Sequence, residues 1–350
     1  MRVAHGRRRV LRDEWEEVVL LSADGSALAS KSEDALVETH ILSASTAQMI
    51  GVLLMAHGSP DNLDDMGAYL QHVRGGRATP QALVDDIRGR YQSIGGRSPL
   101  LDLTRAQGSA LEARLNANAT RFRVYVGMRH WHPFIKDTVR QMVDDGIHRV
   151  VAVSMAPQYS KLSVGAYQSA LEMAQAELGA SLEVTTVTSW HDHPWLLQAF
   201  AEGVQDVYNQ LSAEGRARLS VIFTAHSLPQ RVLAEGDPYP HEVECTAAGV
   251  AKLLGLTTWE VAYQSQGATA EPWLGPTLDE VFARAAAQGR RALLLVPVGF
   301  VCDHVEILYD IDILAQKVAQ EKSLRLMRTA SLNTSPTFIE ALVQVVTSHL

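Results

Sequence analysis

Three groups of residues in this 350-residue chain have types and spacings that could do chemistry. The stretch GFVCDHVEILYDIDIL, residues 299–314, carries Asp303, His304, Glu306, Asp310 and Asp312 among Val, Ile and Leu. Read as a helix, it puts Glu306 and Asp310 four residues apart on one face, with Asp303 near that face and Asp312 turned elsewhere. The bland account is a solvated acidic face, but Val305, Ile307, Leu308, Ile311 and Ile313 leave little of such a helix to water. Half-buried carboxylates in a row fit cation transit or proton transfer. The second group is His226, in TAHSLP, which by itself reads as a hydrogen-bonded structural residue. The third is basic and hydroxylic: Arg74 and Arg77 in VRGGR, Arg90 and Tyr91 in GRYQSIGG, Ser98 before Pro99, and Tyr167. Arginine forks beside hydroxyls suit carboxylate recognition, although each arginine alone reads as a surface residue.

Something must bring these groups together. The phrase VIFTAHSLP that holds His226 has an earlier copy, VLLMAHGSP, which holds His57. Both are apolar runs that end in Ala-His and a turn closed by proline. From Ile50 onward short Val- and Leu-rich runs predict buried strands at 51–56, 122–127, 150–155, 184–187, 221–225, 260–263 and 292–297. Apolar residues at helical spacing predict helices at 133–145, 166–178, 195–211, 242–254 and 277–288. The alternation implies an α/β fold with parallel sheets flanked by helices. A second echo, strand–loop–helix–Gly–strand–Pro, follows each copy of the phrase. We therefore expect two similar Rossmann-like lobes, 49–190 and 191–330. A C-terminal segment, 331–350, should pack back across them as a helix from Pro336. Residues 1–48 read as an appendage, either disordered or a small hairpin turning at Asp24-Gly25, and Met49 is a natural beginning. Ligands of such sheets sit beyond the carboxyl ends of the strands. The two His turns, 155–160 and 297–304 lie at such ends and should line one cleft.

Composition narrows the class. A net charge of −8 argues against a nucleic-acid partner. No run approaches the ~18 apolar residues of a membrane span, so no membrane insertion is expected. The basic N-terminus has acids where a signal peptide needs an apolar core, so the expected location is cytoplasmic. Cys245 and Cys302 fit no zinc spacing and read as idle thiols in a reducing compartment.

From Gly51 to the C-terminus the chain resembles the ferrochelatases, enzymes that insert ferrous iron into a porphyrin. The matching stretches are VLLMAHGSP, HVRGGR, RYQSIGGRSPL, GMRHWHPFI, MAPQYSKLSVGAYQ, FTAHSLPQRV, GDPYP, YQSQGATAEPWLGP and VPVGFVCDHVEILYDID, in family order. The resemblance implies a porphyrin cleft between two Rossmann-like lobes. It makes His226 and Glu306 the facing pair that binds Fe²⁺ and takes the two pyrrole protons, with Asp310 continuing an acidic path. Leu314 stands where the family has a third acid. Arg74, Arg90, Tyr91, Ser98 and Tyr167 match positions that hold or surround the macrocycle and its propionates. His57 stands where the soluble Gram-positive branch has tyrosine, and Arg129 where that branch tends to have lysine. His57 reads two ways, as an axial contact to porphyrin iron or as a turn histidine bonded to backbone.

The Gram-positive branch is similar throughout and acts on coproporphyrin III. The segment DNLDDMGAYLQH after GSP is polar, unlike the apolar lip of the membrane-associated protoporphyrin enzymes. Coproporphyrin III is therefore the expected substrate, with protoporphyrin IX the alternative. A cobalt or nickel chelatase of the same fold and a non-catalytic tetrapyrrole carrier are the rival readings. No tightly bound cofactor is expected, and two cysteines cannot hold the [2Fe–2S] cluster of some family members. A monomer that hands its product to a downstream enzyme of haem synthesis is the expected context.

Overall fold

Val52 and Leu54 of the first strand face one way, Leu53 and Met55 the other, and all four are fully buried. A strand covered on both faces must be central, and β1 (Ile50–Ala56) is. It pairs in parallel with β2 (Phe122–Met128) and β3 (Arg149–Ser154), and β4 (Glu183–Val187) pairs with β3. A second parallel sheet comprises β5 (Leu219–His226), β6 (Glu260–Gln264), β7 (Ala292–Val296) and β8 (Arg325–Arg328). The orders are β2-β1-β3-β4 and β6-β5-β7-β8. Offset by four, they are the same order. The two copies of the Ala-His phrase are thus β1 and β5, equivalent inner strands of equivalent sheets. The structure, a computed structural model, describes residues 48–267 and 269–350. The expected appendage and its hairpin at Asp24-Gly25 lie outside the described residues, apart from Gln48.

Helices fill the crossovers. Between β1 and β2 lie α1 (Met66–Val73), α2 (Gln81–Ser93) and α3 (Leu100–Leu115), none singled out by the sequence pattern. Then come α4 (Ile135–Asp144), α5 (Val164–Leu178), α6 (Pro194–Asn209), α7 (Ala213–Ala217), α8 (Arg231–Ala234), α9 (Tyr239–Leu254) and α10 (Leu278–Ala287). One face of each sheet contributes to a shared core: Val52, Leu54, Val151 and Val153 from the first, Phe223 and Val296 from the second. Phe338, Leu342 and Val346 of the last helix, α13 (Pro336–Thr347), join it. That helix packs on both α3 and α6. The outer faces bury separate clusters, and Ile307 and Ile311 belong to the one on the second sheet.

The helix expected over 299–314 is a correction. Residues 299–304 form no helix, α11 (Val305–Leu308) is one turn, and Asp310–Ala315 is a π-helical segment before α12 (Gln316–Glu321). Asp303 therefore does not join the Glu306 face. Its carboxylate accepts from Ser331 Oγ (2.7 Å), Asn333 Nδ2 (3.0 Å) and Arg328 Nη2 (3.2 Å). Arg328, on the unanticipated strand β8, also holds Asp312 at 2.6 and 2.8 Å. An arginine fork between two acids explains both carboxylates without a metal path.

The loops at the strand ends are bound to each other by buried polar contacts. Gln107 of α3 donates to the carbonyls of Val301 (3.2 Å) and Asn333 (2.9 Å). Gln158, after β3, donates to Thr246 Oγ1 and to the Val298 carbonyl, both at 3.0 Å. Glu242 of α9 accepts from Tyr159 N–H (2.6 Å) and Ser189 Oγ (2.7 Å).

Candidate active site

β5 ends in His226, and the loop after its neighbour β7 leads into α11, which carries Glu306. The adjacency of β5 and β7 brings the two side chains together, His226 Nε2 lying 3.4 Å from Glu306 Oε1. Nδ1 of the same ring donates to the Ser227 carbonyl, which leaves Nε2 as the lone-pair nitrogen of the neutral tautomer. Tyr239 fixes the backbone by donating to the His226 carbonyl at 2.9 Å. His304 caps α11, its Nδ1 accepting from Glu306 N–H at 3.1 Å. Close approach is needed here. A Cβ on Gly299 would stand 2.8 Å from Ala225 Cα, so only glycine lets the β7 loop lie against the end of β5.

Charge is poised within the pair. Burial alone would lower the His226 imidazole, but the Glu306 carboxylate beside it and the Ser227 carbonyl raise it to about 8. Burial alone would raise the Glu306 carboxyl, and His226 instead holds it down at about 2. Behind the pair, buried Asp310 is pushed up to about 6 by desolvation, with Glu306 adding to the rise and the Ser265 hydroxyl bond opposing it.

Across the cleft stands His57, at the end of β1. Its turn needs Gly58 at φ +92°, where a Cβ would meet Trp131 N at 2.9 Å. The His57 ring is open to the cleft and packs against His130, with centroids 4.6 Å apart. Desolvation by the cleft walls lowers the His57 imidazole, against the pull of Glu306. His130 falls to about 3, first through burial and then through His57 and Arg129. Both rings are therefore neutral at ordinary pH. Arg129 is anchored by its Nη1 to the Ala166 carbonyl at 2.7 Å.

The cavity between these walls encloses about 290 Å³. It brings together His57, Tyr91, Ser98, Tyr167, His226 and Glu306. Tyr91 and Tyr167 are buried, and burial raises both phenols, so they present neutral hydroxyls. Arg74 and Arg90 are not part of the lining. Arg90 pairs with Asp86 at 2.9 Å and lies over the Tyr309 ring, while Arg74 ends α1. Asp310 also stands behind the wall rather than in it. Sequence reading missed Tyr69 and Tyr239 as lining residues. His304, in the 297–304 stretch expected at the cleft, does line it, although sequence reading assigned it no role there. The two tyrosines sit on helices where an aromatic residue reads as core.

Comparison with known proteins agrees with this architecture. A family model described as Ferrochelatase matches residues 49–350. A ferrochelatase from Herpetosiphon aurantiacus is 44% identical over 309 residues, covering 88% of this chain and 100% of that protein. A coproporphyrin III ferrochelatase from Geobacillus thermodenitrificans is 40% identical over 304 residues, covering 86% and 96%. Among solved structures, the sirohydrochlorin chelatase SirB from Bacillus subtilis subspecies spizizenii, in complex with cobalt, aligns with a TM-score of 0.52 at 10% identity. That alignment covers 86% of this chain and 95% of that one, and at such identity it speaks to the fold alone. With the family model spanning nearly all of the described residues and relatives matched over almost their full length, the chain belongs to the ferrochelatase family.

Proposed function

We propose that this enzyme, a metal chelatase of haem biosynthesis, inserts Fe²⁺ into coproporphyrin III to give the iron porphyrin and two protons. The observation that carries the reading is the His226–Glu306 pair at 3.4 Å, facing His57 across the cleft. The macrocycle would lie between these walls. Fe²⁺ would meet Nε2 of His226 in its neutral form, which gains ground as pH rises toward 8, and a Glu306 carboxylate held ionised, a mixed donor set suited to a divalent transition metal. As the metal enters the ring, the two pyrrole protons leave to the same two groups, and Asp310, raised to about 6, can pass them on. His57 would contact the iron from the opposite face. Distortion of the ring toward an out-of-plane form would expose the pyrrole lone pairs, a use of binding energy on the reacting state. No resident cluster is part of this proposal.

Two observations favour coproporphyrin III. Several relatives at about 40% identity bear that substrate in their names. The segment after Pro60 turns Met66, Tyr69 and Leu70 inward and presents Asp61, Asn62, Asp64, Gln71 and His72 to solvent, so it offers no apolar lip. No described helix is long and apolar enough to cross a membrane. The test is anaerobic Fe²⁺ insertion with coproporphyrin III and protoporphyrin IX in parallel. Higher kcat/KM with coproporphyrin is expected, and equal or better use of protoporphyrin overturns the substrate assignment.

A further inference from the structure

Gln264 ends β6 and touches the backbone on both sides of the cleft pair. Its carbonyl accepts from Ser227 N–H, beside His226, at 2.7 Å. Its side-chain Nε2 donates to the Glu306 carbonyl at 2.8 Å. The residue is 4% exposed, and its Oε1 is buried with no partner among the described residues. An orphaned buried acceptor is a cost that methionine or leucine would avoid at the same place, so packing does not account for glutamine. The next residue, Ser265, adopts φ +60°, in the left-handed region that side-chain-bearing residues rarely occupy, and its hydroxyl donates to Asp310. Two local costs at one strand end thus coincide with two bonds to the chain segment that carries the acids.

We propose that Gln264 is a positioning residue for metal insertion. It ties the His226 turn to the Glu306 backbone and so sets the separation of imidazole and carboxylate. The inference rests on reading His226 and Glu306 as the pair that meets the iron. A donor pair converging on one ion tolerates little drift, and misplacement by about 1 Å costs on the order of 100-fold in rate. Gln264 touches no reacting atom in this scheme and acts only through its neighbours' backbone.

Two substitutions separate this role from packing. Gln264→Met keeps the bulk and removes the amide, and Gln264→Asn keeps the amide but withdraws it by one methylene. Each is expected to lower kcat for Fe²⁺ insertion about 10- to 100-fold while porphyrin KM stays within about twofold. Co²⁺ added to the porphyrin-free protein should bind more weakly and with an altered visible spectrum in both variants. Wild-type kcat and Co²⁺ spectrum in Gln264→Met overturn the proposal. So does a parallel loss of kcat and porphyrin binding with a lowered Tm, which marks a purely structural role. Where Gln264→Met does not fold, the same readings on Gln264→Asn decide. His226→Ala is the control: full activity there overturns the reading of the pair itself. An inactive His226→Ala beside a fully active Gln264→Met overturns only the role of Gln264.

Discussion

The imidazole of His226 and the carboxylate of Glu306 stand 3.4 Å apart because β5 and β7 are neighbours, not because the residues are near in sequence. The carboxylate is what lifts His226 to about 8 against the opposing effect of burial. Glu306→Gln is therefore expected to drop the His226 pKa below its ordinary 6.5, as read by NMR titration of the ring. The raised histidine stabilises the fold fully below pH 6.5, and that contribution fades as pH rises through about 8. The depressed glutamate stabilises above its ordinary 4.5, and its contribution fades as pH falls through about 2. The Tm advantage of wild type over Glu306→Gln should accordingly be largest between pH 4.5 and 6.5 and decline toward 8. On the proposed role of His226, insertion needs neutral Nε2 and should run the other way, rising toward pH 8.

Removing either member of the pair should stop chemistry without emptying the cleft. His226→Ala and Glu306→Gln are each expected to lose at least about 100-fold in kcat. Porphyrin binding, followed by fluorescence quenching, should change little. Near-normal turnover in both variants would exclude the pair from the reaction.

His57 is open to the cleft with its ring held neutral by the surrounding walls, so a lone pair is available toward the porphyrin. The absorption spectrum of the bound iron product should shift in His57→Ala. Superimposable spectra would leave His57 as a turn residue that packs on His130.

Arg328 is the counter-charge to Asp303 and Asp312, and its side chain is only 18% exposed. Arg328→Met leaves two carboxylates facing each other. A loss of about 2–4 kcal/mol is expected, toward the low end because both acids keep some solvent. Urea unfolding measures it, and a change under about 0.5 kcal/mol would show the fork to be idle.

Gly299→Ala tests the close approach of the two loops. Its Cβ would press on Ala225, the residue before His226, at 2.8 Å. Overpacking of this kind costs about 1–3 kcal/mol, and kcat should fall further than the Tm shift alone accounts for. Unchanged kcat would show that the end of β5 can yield without moving the imidazole.

What was legible in the sequence was whatever repeats or is buried on both faces. β1, β3, β5 and β7 are continuous apolar runs, and the echo of VLLMAHGSP in VIFTAHSLP correctly announced equivalent strands in two similar sheets. RLMR, the edge strand β8, is four residues with charged ends and carries no such signal. Missing it also hid Arg328, so Asp303 was grouped with Glu306 when its partner lay on a strand that no pattern revealed. The helical period over 299–314 failed for a related reason. The segment bends to satisfy bonds from β6 and β8, and local spacing cannot report bonds made by distant strands. Gln264 and Ser265 were silent likewise, being two polar residues whose meaning lies wholly in what they touch.

The buried amides of Gln107 and Gln158 join the two walls of the cleft through four bonds at 2.9 to 3.2 Å. Spreading the walls would break these together, and each buried polar group left bare costs about 1–3 kcal/mol. The jaws of this enzyme are consequently stiff. If the macrocycle enters here as proposed, the walls would yield little to it, and the compliance that the reaction requires would have to come from the thin conjugated ring.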